Sequence, residues 1–284
     1  MGYFLTVIAG FCSDALAGVG LHGVFSLAGI FFLGIPVVMK ISVYALAIAQ
    51  RAGVPPEIAF IFAIIAAIAV GIIFAYLFVK VSPDSFAVLG LASLLACESL
   101  LQSWDSVTNG ILGISGIRRP ELFSSLPSLV IIYVLAVAVF FLLEWIFLQT
   151  RYGRLVRAYK QNEIVLQALG HSSSRIGQLL IIAASFIYGV VGILMAWRIQ
   201  FVDPSIAGIP YLIEIVTIGV LALNPRVSSL AAATFFVAVF PEVLRFFNLP
   251  TAIMGYARVL LYSIFLMVII GKLLPKLSIS NRST

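Results

Sequence analysis

Residues 151–175, RYGRLVRAYKQNEIVLQALGHSSSR, decide how this chain is read, because almost everything on either side of them is apolar. Arg151, Arg154, Arg157 and Lys160 recur every third residue, so on a helix they form one slowly turning basic stripe. Leu155, Val156, Tyr159, Ile164, Val165, Leu166, Ala168 and Leu169 supply the apolar remainder. Gly170 is placed to end that helix, since glycine takes the left-handed C′ conformation without a Cβ penalty, and Ser172 or Ser173 can cap the next one. The pattern predicts a short helix over 154–170 between two membrane spans, lying on the membrane surface or docked on a partner. A basic loop that only fixes topology is the alternative.

Working outward, the 284 residues are 62% hydrophobic and only 10% charged, where soluble domains carry about 25% charged residues. Mean hydropathy is +1.17. Such a chain is an integral protein of a lipid bilayer. With about 20 apolar residues per span, there is room for about eight to ten spans and little else. The expected fold class is therefore all-α, a polytopic bundle with some spans broken or re-entrant, forming one transmembrane domain over 1–284. No stretch is polar enough to fold as a soluble ATPase, kinase or binding domain. The net charge of +6 comes from Lys and Arg near span ends and is no nucleic-acid footprint. Cys12 and Cys97 lie in apolar surroundings without metal-ligand spacing and read as small buried hydrophobes. The first segment lacks a basic n-region and an A-x-A site, so it reads as a retained span.

Residues 3–21 form the first expected span, interrupted by Asp14. The next run, GVFSLAGIFFLGIPVVMK (23–40), carries Gly23, Gly29, Gly34 and Pro36. These are too many breakers for a straight helix, and they predict a broken or re-entrant element over 23–36. Apolar sequence continues to Arg51, and Val54-Pro55-Pro56-Glu57 reads as a turn. Spans are expected at 58–80, 85–103, 128–149, 175–197, 211–223, 228–246 and 259–274. Residues 104–127, WDSVTNGILGISGIRRPELFSSLP, form a polar loop with turn signals at Asn109-Gly110, Gly113, Gly116 and Pro120. With 151–175 in the cytoplasm, the larger share of Lys and Arg, including Lys80, Arg175, Arg226, Lys272, Lys276 and Arg282, falls on the same side.

Ionisable groups inside a membrane are costly and point to function or to pairing. The candidates are Asp14, Lys40, Glu98, Glu144, Arg198, Glu214 and Glu242. Glu144 beside Trp145 reads as interfacial, Lys40 as a snorkelling end, and Arg198 as an outer-interface residue. Glu214 and Glu242 lie within apolar runs, with Arg245 one turn beyond Glu242. Tyr3, Trp104, Trp145, Trp197 and Tyr211 read as an aromatic belt. The glycines at 10, 20, 189 and 192 suit close helix packing. No H-E-x-x-H, G-x-S-x-G or phosphate-loop signature occurs, and His22 and His171 stand far apart. The pattern therefore assigns no catalytic residue, metal or cofactor.

Four segments together resemble a known family. Gly153-Arg154-Leu155-Val156-Arg157-Ala158, Asn162-Glu163 and Ala168-Leu169-Gly170 are similar to the cytoplasmic loop of permeases in branched-chain amino-acid ABC importers, most closely the M-type subunit. Gly23-Val24-Phe25-Ser26-Leu27 with Phe31-Phe32 and Gly34-Ile35 resembles the family's G-x-x-S-L-G-x-x-x-F-F-G-I run. Thr108-Asn109-Gly110 with Leu112-Gly113-Ile114 resembles its N-G-L-x-G-I loop. Asp203-Pro204-Ser205, Ile213-Glu214-Ile215 and Pro241-Glu242-Val243-Leu244-Arg245 are similar to its C-terminal half. The resemblance implies a multi-pass subunit of the cell inner membrane that hydrolyses no ATP itself. Its partners would be a second related permease, two cytoplasmic ATPase subunits and an extracytoplasmic solute-binding protein. Residues 154–170 would be the coupling helix, with Arg154, Arg157, Lys160, Asn162, Glu163, Leu166, Leu169 and Gly170 meeting the ATPase. Ser26, Phe31, Phe32, Asn109, Gly110, Glu214 and Glu242 would border the translocation path.

The chain departs from the family pattern at Ala28 and Gly29, at Ala222-Leu223, and through Pro225–Ala231. These segments would touch substrate or the partner permease, so urea, short amides and other amino acids stay open beside leucine, isoleucine and valine. A different reading is an ion-coupled secondary transporter using Glu98, Glu214 or Glu242 without any ATPase.

Overall fold

The structure is a computed structural model describing residues 2–224, 226–245, 257 and 259–268, with 240–245 as backbone only. The expected loop through 246–256, Pro225 and the basic tail after 268 lie outside the described residues, as do the side chains of Glu242 and Arg245. Helices dominate. Helix α1 (Gly2–Leu21) passes without a break into a π-helical turn, His22–Leu27. An irregular stretch, in which Gly29 takes φ +75°, leads to α2 (Ile35–Arg51). This is the broken element that the glycines predict. The antiparallel pair α3 (Pro56–Lys80) and α4 (Pro83–Ser103) follows. The polar loop then holds a one-turn helix α5 (Asp105–Thr108) and a short strand β1 (Ile114–Ser115). Beyond α6 (Leu126–Gln149) come α7 (Arg151–Gln161), α8 (Glu163–Ala168) and the long α9 (Ser173–Ile199). Strand β2 (Phe201–Val202) pairs antiparallel with β1, tying the connector after α9 to the polar loop. Helices α10 (Ile209–Leu221), α11 (Val227–Arg245) and α12 (Val259–Val268) complete the described chain.

Five helical segments are long and apolar enough to cross a membrane: Gly2–Leu27, α3, α4, α6 and α9. The shorter apolar helices α10, α11 and α12 add to these. At about 1.5 Å per residue, the 25 residues of α3 reach the thickness of a hydrocarbon core with length to spare.

The centre of the bundle is α2, α3 and α9. Helix α3 carries Ala59, Ala63, Ala67, Gly71 and Ala75 at every fourth position, so they fall in one buried stripe. Ala67 packs against Gly189, and Gly71 against Ser185, both on α9. Gly192 of α9 meets Met39 and Val43 of α2, and Gly20 of α1 meets the ring of Tyr188. Small residues let backbones approach where lipid supplies no hydrophobic drive between helices. The other face of α3 exposes Ile58, Ile61, Phe62, Ile65, Ile72 and Ile73, as a lipid-facing surface should.

Candidate functional site

The basic stripe lies on the face where α6 ends and α9 begins. Thr150 caps α7, its hydroxyl accepting from Gly153 N at 3.2 Å and donating to Phe147 O at 2.7 Å. Arg154 Nη1 donates to Gln149 O at 3.0 Å, and Arg157 Nη2 to Leu148 O at 2.7 Å. Both guanidinium groups thus satisfy the orphan carbonyls at the C-terminus of α6, where the helix dipole favours cations. Arg226 joins them around a cleft of about 640 Å³.

The single helix expected over 154–170 is two. Asn162 turns to φ −160° and caps α8, its side-chain oxygen accepting from Val165 N at 3.1 Å. Asparagine competes with the helical backbone in this way, which is why the helix breaks there. Glu163 occupies the first turn of α8 and accepts from Gln167 Nε2 at 3.3 Å. At the other end Gly170 takes φ +82°, with His171 N donating to Leu166 O and Gly170 N to Gln167 O. That is a Schellman closure, and it explains the glycine. Ser172 then caps α9. The helix α8 turns Leu166 inward, 2% exposed, and Ile164, Val165 and Leu169 outward, at 78%, 53% and 70%. Leu166 is therefore covered by this chain's own residues, and the exposed apolar face of α8 is made by its neighbours.

The π-helical turn sits directly beneath this surface. Lys160 Nζ donates to Ser26 O at 2.8 Å, and Ser26 Oγ donates to Gly219 O on α10 at 3.2 Å. Burial lowers the Lys160 ammonium below its ordinary pKa, and the carbonyl bond offsets part of that desolvation. His22 is wholly buried, with Nδ1 hydrogen-bonded to Glu144 Oε1 on α6 and Nε2 lying 3.3 Å from Asn224 O. Glu144 is 7% exposed and is paired with His22 rather than left open at a span end. One short π-helical stretch thereby holds α6, α7, α10 and the turn before α11; such stretches recur at functional sites. Ser26 is buried, and Phe32 is enclosed by the rings of Phe74 and Phe86. Phe31 is 52% exposed.

Lys40 is also corrected. It does not snorkel: the side chain is fully buried, and Nζ donates to Glu98 Oε2 on α4 at 2.7 Å and to Pro204 O at 2.8 Å. Trp197, expected in the aromatic belt, is buried against Phe60 and Phe123. Neither pairing leaves a trace in the sequence, because the partners stand on different helices at no fixed spacing.

The opposite face carries the polar loop. Asn109 takes the left-handed conformation, and its Nδ2 donates to Gly113 O at 2.9 Å. Gly110 beside it is buried at φ +55°. Gln50 grips Arg118 at both backbone groups, and Arg119 donates from Nε to Trp197 O and from Nη2 to Arg198 O at the end of α9. Asn109, Gln50 and residues 113–118 border a cleft of about 670 Å³. A larger cavity, about 1090 Å³, lies between α1, α9, α10 and α11, with Thr6, Asp14, Arg198, Tyr211, Glu214 and Phe235 in its wall. Tyr211 and Glu214 also line a third cavity of about 560 Å³ against Pro210 and Tyr262, and Tyr262 Oη donates to Glu214 at 3.2 Å. Glu214 lines both of these cavities. Among the described residues no group of three or more His, Cys, Asp or Glu is placed to hold a metal ion.

A polytopic helix bundle with a broken span, a surface helix pair and internal cavities is the build of a membrane permease. Residues 3–273 match the family model described as branched-chain amino acid transport system / permease component, and the chain belongs to that family. In structure it is similar to PsaBC from Streptococcus pneumoniae in complex with Fab, with a TM-score of 0.50, 17% identity, and coverage of 93% of this chain and 89% of that one. At that identity the likeness speaks for the fold alone. No curated protein matches the sequence.

Proposed function

We propose that this chain is the membrane subunit of an ABC importer, moving a small solute at the expense of ATP hydrolysed on separate subunits. Hydrophobic amino acids are the substrate class this reading favours. A second related permease would complete the pathway, two ATPase subunits would dock at α7–α8 in the cytoplasm, and an extracytoplasmic solute-binding protein would deliver cargo at the polar loop. The membrane is then the cell's inner membrane.

One observation carries the reading. The helix α8 packs Leu166 inward and leaves Ile164, Val165 and Leu169 exposed outside any span, while its neighbour α7 is bonded through Lys160 to the broken end of α1. An exposed apolar patch on a short helix suits a groove on a partner, and the Lys160 bond suits transmission of a rigid-body movement. Arg154, Arg157, Asn162, Glu163 and Gly170 act in this scheme by fixing the shape of the helix pair.

Co-purification from detergent tests it. Wild type should bring down an ATP-hydrolysing subunit, and Ile164→Glu/Leu169→Glu should lose it while remaining folded. A chain that keeps no ATPase, yet alone moves solute into liposomes, would be a secondary transporter instead.

A further inference from the structure

The cleft at the foot of α6 gathers more positive charge than the fold itself uses. Arg154 and Arg157 of α7 and Arg226 before α11 border one volume of about 640 Å³, together with Trp145, Gln149 and Ser228. Among the described residues none of the three arginines forms an ion pair. A guanidinium carries five N–H donors. Arg154 uses one on Gln149 O, and Arg157 uses two, on Gly153 O and Leu148 O. Arg226 bonds through its backbone, its N–H to Asn224 O and its carbonyl to Ser229 N and Leu230 N. Helix α11 starts at the same cleft, with Val227 and Ser228 in the wall, and a helix N-terminus favours an anion. The cleft also continues a lipid-facing surface. Leu135, Val139, Leu142 and Ile146 of α6 are exposed and recur at steps of four and three, so they share one face of that helix. That face runs down to Trp145, itself exposed, and tryptophan settles at headgroup level. A soluble partner meets the outward residues of α8, whereas this cleft is walled by the ends of two apolar helices, α6 and α11.

We infer that this cleft binds the phosphate headgroup of an anionic phospholipid, in the leaflet on the α7–α8 side. Arg154 and Arg226 take the phosphate oxygens through their planar forks. Arg157, tied to α6 by its own bonds, adds charge at a fixed place. The start of α11 adds its dipole, Trp145 lies at the glycerol level, and the acyl chains run along the exposed face of α6. A choline lipid carries the same phosphate but brings a trimethylammonium group to three arginines, so the cleft discriminates against it. The bound lipid bridges α7 to the start of α11. This inference needs only that the chain sits in a bilayer, and it does not rest on the importer reading.

The test is native mass spectrometry of the purified full chain in detergent, titrated with phosphatidylglycerol or phosphatidylcholine of identical acyl chains. Wild type should retain phosphatidylglycerol under conditions that strip phosphatidylcholine. Arg226→Gln removes a side chain that bonds to nothing else in the fold, and should weaken retention about fivefold. Ser228→Asp puts a carboxylate into the cleft without removing an arginine and should weaken it by a similar factor. Aspartate in the first turn of a helix is stabilising, so this variant guards against loss by unfolding. Arg175→Gln, an exposed cation on the same side but outside the cleft, should retain the lipid as wild type does. Water-soluble glycerol 3-phosphate should compete at least about tenfold less well than the lipid. Equal retention of the two lipids, an equal loss in Arg175→Gln, or full retention by both cleft variants would each overturn the assignment. Glycerol 3-phosphate binding as tightly as the lipid would make this a site for free phosphate esters instead. If Arg226→Gln releases a co-purified protein while lipid retention is unchanged, the cleft belongs to an acidic protein surface and the lipid assignment fails.

Discussion

Lys160 on α7 and Ser26 at the base of α1 are joined by a 2.8 Å bond from Nζ to the serine carbonyl. The same serine reaches on to α10, five residues from Glu214 at the cavity wall. A displacement of α7 thus meets a side chain, a π-helical turn and a cavity-lining helix in direct succession. Such a contiguous chain is a physical candidate for coupling, and it needs a perturbation that separates coupling from assembly.

Lys160→Met supplies that perturbation. The methionine keeps the apolar stem of the lysine and removes the donor, leaving the Ser26 carbonyl unsatisfied at a cost of about 1–3 kcal/mol. ATPase association should persist, because the outward residues of α8 are untouched. Solute moved per ATP hydrolysed in proteoliposomes should fall severalfold. Unchanged stoichiometry would mean that the bond only anchors the helix.

The two leucines of α8 should separate stability from association. Leu166 is 2% exposed and Leu169 is 70% exposed. Leu166→Ala opens a cavity and should destabilise by about 2–5 kcal/mol. Leu169→Ala should stay within about 0.5 kcal/mol of wild type in stability while weakening capture of the ATPase. Thermal melts in detergent alongside pull-down yields decide this, and equal behaviour of the two variants would contradict the orientation of α8.

The His22–Glu144 pair holds the end of α1 against α6. Removing one member strands a buried polar group, so Glu144→Leu should cost about 1–3 kcal/mol. The double replacement His22→Phe/Glu144→Leu should recover most of that loss, because a packed apolar pair needs no partner. Melting temperatures of the wild type, both singles and the double measure it as a cycle. A double variant as unstable as the singles would show that the pair is indispensable for another reason, the contact with Asn224 O being the first to examine.

Much of this architecture was legible in the sequence. The spans, the broken element after Gly23, the Gly170 closure and the Ser172 cap all follow from local rules that act over three or four residues. The break at Asn162 departs from the single helix expected over 154–170, although the Asn-Glu pair is an N-cap signal in its own right. Where the sequence was silent, the relation is tertiary: Glu144 and Lys40 look like span-end charges until His22, Glu98 and Pro204 arrive from other helices. The cavity wall shows the same division. Asp14, Arg198 and Glu214 each stand out singly as membrane charges, but only the folding of α1 between α9 and α10 brings them to one space.

The Lys40–Glu98 pair offers a last and more discriminating test. Lys40 is fully buried and has two acceptors, Glu98 Oε2 and Pro204 O. Lys40→Met leaves the Glu98 carboxylate without its countercharge, and should lower stability by about 3–5 kcal/mol. A charge swap, Lys40→Glu/Glu98→Lys, restores the countercharge but places a carboxylate beside the Pro204 carbonyl, where two acceptors repel. Recovery should therefore be partial, and the remaining loss should appear as proteolysis within 203–208, the segment that the carbonyl anchors. Lys40→Met/Glu98→Met removes both charges and frees Pro204 O without adding repulsion, so it should melt above the swap. If the swap is instead as stable as wild type, the pair acts through charge alone and the connector after α9 is held by its other bonds, β1–β2 among them.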